Sequence, residues 1–318
     1  VIYMPSQQIQ WFPGHMAKTR RLISENLKNV DIVIELLDAR IPKSSQNPEI
    51  AKLIGQKPSL TLFNKATLAD PAVTRRWQEF YSSKGRVMLA IDCKTGENVS
   101  RIGQEVRRIL ADKIKAWDDK GMSGKRIRAM IVGIPNVGKS SLVNRLSGQK
   151  KAKVENRPGV TLTKQWVATN QGFDLMDMPG VLWPKFDDRL TGENLAATGA
   201  IKDAVIDTEE LGMILAARLY SLYPDMFCAR YKLSLEDIEG LDAYDLLCEV
   251  GRKRGFLVSG GDINTERTAL MLLEEFRSAK IGRITLEAPD KVPLQPAETS
   301  SAPDGAERLC DDNSEAGV

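Results

Sequence analysis

The sequence predicts an α/β protein, a mostly parallel sheet with helices on both faces, joined to a small α-helical C-terminal domain. Three observations predict it. Apolar runs of strand length recur at Pro58–Phe63, Val87–Ile91, Ile127–Val132 and Phe173–Asp177. One of them leads through a glycine-rich loop straight into a helix start at Ser140–Leu146. Past Pro184 the apolar period becomes helical. A chain of 318 residues is long enough for two domains at roughly 150 residues each. The expected organisation is an N-terminal segment and helix over 1–30, an α/β domain over 31–185, a helical domain over 186–287 and a disordered acidic tail over 288–318.

Composition narrows the class. With 42% hydrophobic and 27% charged residues the chain reads as an ordinary globular protein, neither collagen nor coiled coil. No apolar run reaches the ~20 residues of a membrane span, and the opening residues lack a signal-peptide core. Cys93, Cys228, Cys248 and Cys310 show no Cys-x-x-Cys spacing, so neither a disulfide frame nor a zinc site is expected. The expected compartment is the cytoplasm. From Ala288 onward seven acidic residues face two basic ones, which leaves 43 basic against 35 acidic side chains in the rest. The tail is rich in Pro, Ser, Gly and Ala and has little to bury. A basic body is compatible with nucleic acid.

Taken in order, the elements carry chemistry at the strand ends. The first strand run leads into Asn64-Lys65-Ala66-Thr67, and the second ends in Asp92-Cys93-Lys94-Thr95-Gly96. Asp112–Lys125, charged and containing Gly121 and Gly124, reads as a connector. The third strand runs into Gly133-Ile134-Pro135-Asn136-Val137-Gly138-Lys139-Ser140, which fits the phosphate-binding loop G-x-x-x-x-G-K-[ST]. Its glycines let backbone N–H groups of Asn136, Val137, Gly138, Lys139, Ser140 and Ser141 close on phosphates at a helix N-terminus. Lys139 would reach the β- and γ-phosphates and Ser140 would offer its hydroxyl to Mg²⁺. The polar loop Arg157–Thr163 follows, with Thr161 as a second Mg²⁺ ligand; taken alone, its Pro-Gly also reads as a plain turn. The fourth strand ends in Asp177, a site for gripping nucleotide-bound Mg²⁺, followed by Met178-Pro179-Gly180; Gly180 could donate its N–H to a γ-phosphate.

A guanine-nucleotide enzyme should carry Asn-Lys-x-Asp after Asp-x-x-Gly. Nothing like it follows Gly180, whereas Asn64-Lys65 stands upstream, and Asp92-Cys93-Lys94 resembles the Ser-Ala-Lys base loop. The blocks therefore run base, base, phosphate, Mg²⁺ loop, Asp-x-x-Gly: the usual order, rotated. Together with Trp11-Phe12-Pro13-Gly14-His15-Met16, Asp38-Ala39-Arg40-Ile41-Pro42, Val181-Leu182-Trp183-Pro184-Lys185 and Ser259-Gly260-Gly261, this order resembles the circularly permuted GTPases, and among them the bacterial assembly factors of the large ribosomal subunit. The match spans roughly Ile9 to Glu287. A permuted sheet keeps its contacts, because strand neighbours rather than chain order determine burial.

The resemblance implies a circularly permuted P-loop GTPase domain using GTP/GDP and Mg²⁺, acting as a monomer on the large (50S) ribosomal subunit through rRNA and ribosomal proteins. It implies a base site from Asn64, Lys65, Thr67, Asp92, Cys93 and Lys94. It also puts His15 beside Lys139 and Thr161 in catalysis, because Val181 stands where many relatives place a water-orienting Gln and a valine cannot orient water. His15 reads equally as a surface or capping imidazole. If it positions the attacking water, intrinsic turnover is slow until a partner fixes it. Asn136 resembles an asparagine that holds K⁺ in some relatives, or else serves loop geometry only. Thr67 departs from the pattern: a hydroxyl cannot replace both acceptor sites of the expected Asp. Guanine selectivity is then weakened, or Asp70 swings in from the next turn.

In the C-terminal part three helices are expected: one headed by Thr208 and stopping before Pro224, then Leu241–Val250 and Asn264–Ala279, with Gly251 and Gly282 near their ends. Basic clusters at Arg252-Lys253-Arg254, at Arg277, Lys280 and Arg283, and at Lys18, Arg20, Arg21 and Lys28 read as solvated faces; the resemblance suggests rRNA phosphate contacts. Two functional classes follow: a GTP-hydrolysing assembly switch, or a nucleotide-gated ribosome-binding protein with little hydrolysis or relaxed base choice. An RNA-modifying P-loop enzyme would need a second catalytic constellation, and no Cys/His/acid set stands outside the loop.

Overall fold

Five of the six strands of the sheet end in loops that carry the motifs above, and parallel pairing brings those ends to one edge. The computed structural model describes residues 13–148, 165–183, 186, 188–201 and 207–289. The strands are β1 (Ile32–Asp38), β2 (Ser59–Asn64), β3 (Met88–Ala90), β4 (Ile127–Val132), β5 (Gln165–Ala168) and β6 (Phe173–Asp177). Their order across the sheet is β3-β2-β1-β4-β6-β5, all parallel except β5, which runs antiparallel to β6 at the edge. All seven residues of β1 are buried, as expected of a central parallel strand covered on both faces. The phosphate-loop strand β4 thus lies between β1 and β6 although the chain reaches it after both base strands.

Helix boundaries follow local chemistry. α1 (Pro13–Leu27) and α2 (Pro48–Ile54) begin on proline, and Asn47 caps α2 by accepting from the N–H groups of Glu49 and Ile50. Asp70 caps α3 (Pro71–Ser83) in the same way. α4 (Ile102–Ile109) is followed by α5 (Ala111–Asp118), so the stretch read as a charged connector holds a helix. The reason is Trp117, buried against the sheet with Lys113 and Lys125 lying over its ring. α6 (Lys139–Ser147) continues the phosphate loop.

The C-terminal part has six helices among the described residues: α7 (Arg189–Ala197), α8 (Thr208–Leu222), α9 (Pro224–Tyr231), α10 (Leu235–Ile238), α11 (Ala243–Lys253) and α12 (Thr265–Arg277). α8, α11 and α12 stand where helical spacing predicts them, while α7, α9 and α10 are additions. The cap of α8 is Asp207 rather than Thr208. Gly251 lies inside α11, packed on Ile263 and Thr268, and the chain leaves the helix at Arg254-Gly255. These helices do not have a separate core. One apolar cluster runs from Leu36, Leu62 and Ile131 on the sheet through Leu182 and Trp183 to Leu215, Leu247, Leu272 and Phe276. With ~1.5–3 kcal/mol for each large apolar side chain buried, this shared cluster holds the helices to the sheet.

After α12 the chain returns to the α/β part. Ile284 N–H donates to Leu68 O (3.1 Å) and Leu286 N–H to Arg40 O (2.8 Å). The Glu287 carboxylate accepts from the N–H groups of Lys43 (2.7 Å) and Ser44 (2.9 Å) and from Asn194 Nδ2 (2.8 Å). Several cations read as a free basic face are consumed inside: Arg254 with Glu275, Arg277 on the carbonyls of Ala196 and Ala197, and Arg283 on those of Ala66 and Ala69. Lys253 and Lys280 remain exposed. The tail from residue 290 lies outside the described residues.

Candidate functional site

The site is assembled where β2, β3, β4 and β6 end. Gly138 opens α6 with φ 106°, and a Cβ there would fall 2.2 Å from Asn64 Nδ2, so only glycine fits. Asn64 uses this closeness: its Nδ2 donates to Val137 O (2.6 Å) and its Oδ1 accepts from Cys93 N–H (2.9 Å). One side chain therefore ties the phosphate loop to both base loops.

On the phosphate side Lys139 is buried and donates from Nζ to Gly133 O (3.0 Å) and Ile134 O (2.7 Å). Burial lowers its pKa to about 8, with Asp177 opposing the shift. Asp177 is also buried, which raises its pKa against the pull of Lys139, and its Oδ1 has no hydrogen-bond partner among the described residues. An orphaned buried carboxylate oxygen facing a phosphate loop suits a hard divalent cation, so Asp177 and Ser140 fit Mg²⁺. Gly180 leans on the loop from the other side; a Cβ there would lie 2.9 Å from both Lys139 Nζ and Pro135 Cα. Val181 N–H donates to Gly133 O (3.3 Å), and its side chain is buried with Ile23 of α1, Val33, Met130 and Val132. The residue after Asp-x-x-Gly is thus a core residue.

The base side is a network of paired side chains. Lys65 takes a left-handed backbone (φ 62°) and donates to Asp38 Oδ2 (2.9 Å). Arg40 grips the same carboxylate at 2.9 and 2.7 Å. Burial opposes ionisation of Asp38, but Arg40 and Lys65 overcome it and hold the carboxyl well below the usual range. The Thr67 hydroxyl donates to Asp92 Oδ2, while Asp92 Oδ1 accepts from the N–H groups of Lys94 (2.7 Å) and Thr95 (3.0 Å). Arg145 of α6 donates to Cys93 O (3.2 Å) and Lys94 O (2.8 Å). The Cys93 thiol is pushed up to about 12 by burial and is chemically quiet.

Most predicted residues converge on this edge: Asn64, Lys65, Thr67, Asp92, Cys93, Lys94, the loop from Asn136 through Ser140 to Ser141, Asp177 and Gly180. Asp70 does not swing in. It caps α3, accepts from Tyr223 Oη (3.1 Å) and is 3% exposed. Asn136 is more than loop geometry: with φ 56° it donates from Nδ2 to Gly199 O (2.7 Å), bridging the phosphate loop to the end of α7. Thr161 lies outside the described residues. His15 falls in the first turn of α1, and nothing of its side chain is described. Asp38, Arg40 and Arg145 were not read as site residues; only the Asp-x-Arg spacing at a strand end hinted at the first two.

Among the described residues no helix is long and apolar enough to cross a membrane, and no group of three or more His, Cys, Asp and Glu could hold a metal.

A family model described as a 50S ribosome-binding GTPase matches residues 128–217. The chain is 45% identical over 284 residues to Ribosome biogenesis GTPase A of Priestia megaterium, covering 89% of this chain and 98% of that protein. It is 32% identical to Mitochondrial ribosome-associated GTPase 1 of Mus musculus over 87% and 90% of the two chains. In fold it is similar to GNP-bound YlqF from T. maritima, with TM-score 0.57 and 22% identity over 86% of this chain and all of that one.

Proposed function

The chain belongs to the ribosome biogenesis GTPase A family, and on that premise we propose that it binds the assembling large ribosomal subunit and hydrolyses GTP to promote a late maturation step and its own release. The observation that carries this reading is the double wiring of the nucleotide edge to the C-terminal helices. Asn136 of the phosphate loop bonds to Gly199, and the returning segment Ile284–Glu287 bonds to the loops after β1 and β2. A ligand that changes either loop thereby acts on helices that can meet a large partner.

In this reading Lys139 and the α6 amides neutralise the phosphates, and Ser140, Asp177 and Thr161 hold Mg²⁺, which supplies positive charge to the phosphate oxygens. Asn136 keeps a side-chain oxygen for K⁺ while its amide stays on Gly199. Val181 cannot position water, and His15, carried by the helix whose Ile23 packs on Val181, is the candidate for that step. Contact with rRNA is supported less by the C-terminal arginines than by a cleft of about 580 Å³ at the opposite end of the sheet, where Lys113 pairs with Asp31, Arg126 with Asp174 and Lys57 with Val30 O, while Lys28, Lys125 and Arg128 are exposed.

The buried Val181 also favours a second reading, a nucleotide-gated binder with little turnover. Hydrolysis of GTP and ATP compared in K⁺ buffer, with and without large subunits, separates them. Subunit-stimulated GTP turnover supports the assembly GTPase; tight binding without stimulation moves the reading to the gated binder.

A further inference from the structure

We propose that Thr67 and Asp92 together form the acceptor that reads the N1–H and amino edge of guanine, with the carboxylate supplied by the second base loop instead of the first. The proposal rests on the guanine-nucleotide reading above and concerns which atoms choose the base.

Guanine presents two adjacent donors on this edge, so a site that selects it needs acceptors and gains from a negative charge. A lone threonine is a poor selector, because its hydroxyl can turn to donate as readily as to accept. Here it cannot turn. Its proton is committed to Asp92 Oδ2, so the lone pairs of Thr67 Oγ1 are what remains for a ligand. Asp92 is itself immobilised, since Oδ1 accepts from Lys94 and Thr95 N–H and the residue is 3% exposed. The pair thus places one carboxylate charge and an orientated acceptor at the junction of the two loops. Asn64 ties that junction to the phosphate loop through Cys93 and Val137.

The other nearby carboxylates are committed elsewhere. Asp70 caps α3 and meets Tyr223, and Asp38 is saturated by Arg40 and Lys65. Asp92 is paired only with a hydroxyl and two backbone N–H groups in the described structure, so its negative charge is not cancelled by a cation in contact. Hydroxyl and carboxylate stand on β2 and β3 loops whose strands pair directly, so exchanging the two side chains would leave one of each in the same place.

The test is a set of dissociation constants for GDP, XDP and ADP with the full chain. Asp92→Asn should weaken GDP about tenfold or more and tighten XDP, because an amide there would donate to Thr67 Oγ1 and free the hydroxyl proton for the C2 carbonyl of xanthine. Thr67→Val, which leaves the Asp92 turn intact, should narrow the GDP-over-ADP preference. Thr67→Asp alone sets two carboxylates side by side and should weaken GDP, and the exchange Thr67→Asp/Asp92→Ser should restore it to within a few-fold. An unchanged GDP:XDP ratio in Asp92→Asn, or an exchange no better than Thr67→Asp, would overturn the proposal. Lys139→Ala is the control: loss of all nucleotides there, with no base effect at Asp92, sinks only this proposal, whereas GDP binding retained in Lys139→Ala sinks the nucleotide site itself.

Discussion

The phosphate half and the base half of the site are built on opposite principles. The phosphate half is built around one contiguous run, Gly133–Ser140, in which backbone N–H groups act beside the Lys139 and Ser140 side chains and whose glycines touch neighbours too closely for any side chain. The base half is drawn from three strand ends and works through side chains that meet across the sheet: Lys65 with Asp38, Thr67 with Asp92, Asn64 with Cys93. Backbone geometry admits little substitution, while side-chain pairs can trade partners and keep their chemistry. This is why the phosphate loop keeps Gly133, Gly138, Lys139 and Ser140 at every fixed position of its pattern while the base loop carries a threonine where the resemblance leads one to expect an aspartate.

The contrast can be broken most directly at Lys139. Lys139→Ala should abolish nucleotide binding, a loss of a hundredfold or more by calorimetric titration; retained affinity would mean that the phosphate half does not carry the binding. Gly138→Ala should come next. Its Cβ would sit on Asn64, so both nucleotide affinity and thermal stability should fall, the latter by about 2 kcal/mol or more. A variant that melts with the wild type would show that the loop yields, and the distinction drawn here would fail. His15→Ala should reduce subunit-stimulated turnover while leaving GDP affinity intact; an unchanged rate removes His15 from the reaction.

The smallest effect sharpens the comparison by pH. Lys139 starts from about 8 in the free protein because burial disfavours its charge, and a bound phosphate raises it. The complex then holds more protons than the free protein above pH 8, so affinity should fall several-fold between pH 7 and 9.5, with proton uptake on binding visible as buffer-dependent heat. Uptake that is absent at pH 8.5 would show that Lys139 is already charged in the free loop.

What was legible in the sequence follows the same division. Strands, phosphate loop, Asp177 and the rotated motif order are local patterns, and β2, β3, β4, β6 and α6 stand where they were read. The Asp38–Arg40 pair left only its Asp-x-Arg spacing as a hint, while the reach of Lys65 to Asp38 and the engagement of Arg283 with the Ala66 and Ala69 carbonyls were illegible, because those partners are far away in sequence. The basic clusters misled for the same reason: composition shows an arginine but not the carbonyl it faces. α5 was missed because its single buried anchor, Trp117, sits in an otherwise charged stretch.

The returning segment has a mechanical consequence. Between Trp183, buried at the sheet, and Glu287, gripped by the N–H groups of Lys43 and Ser44, the C-terminal helices are attached at both ends of their chain. Between those ends the helices also share the sheet's apolar cluster and bond to it through Tyr223 on Asp70 and Arg283 on the Ala66 and Ala69 carbonyls, so they are seated along their length and cannot swing out on a tether. Asn136 of the phosphate loop touches the same helical body at Gly199. A displacement of the phosphate loop is therefore met by a body seated on the sheet, not by a loose appendage.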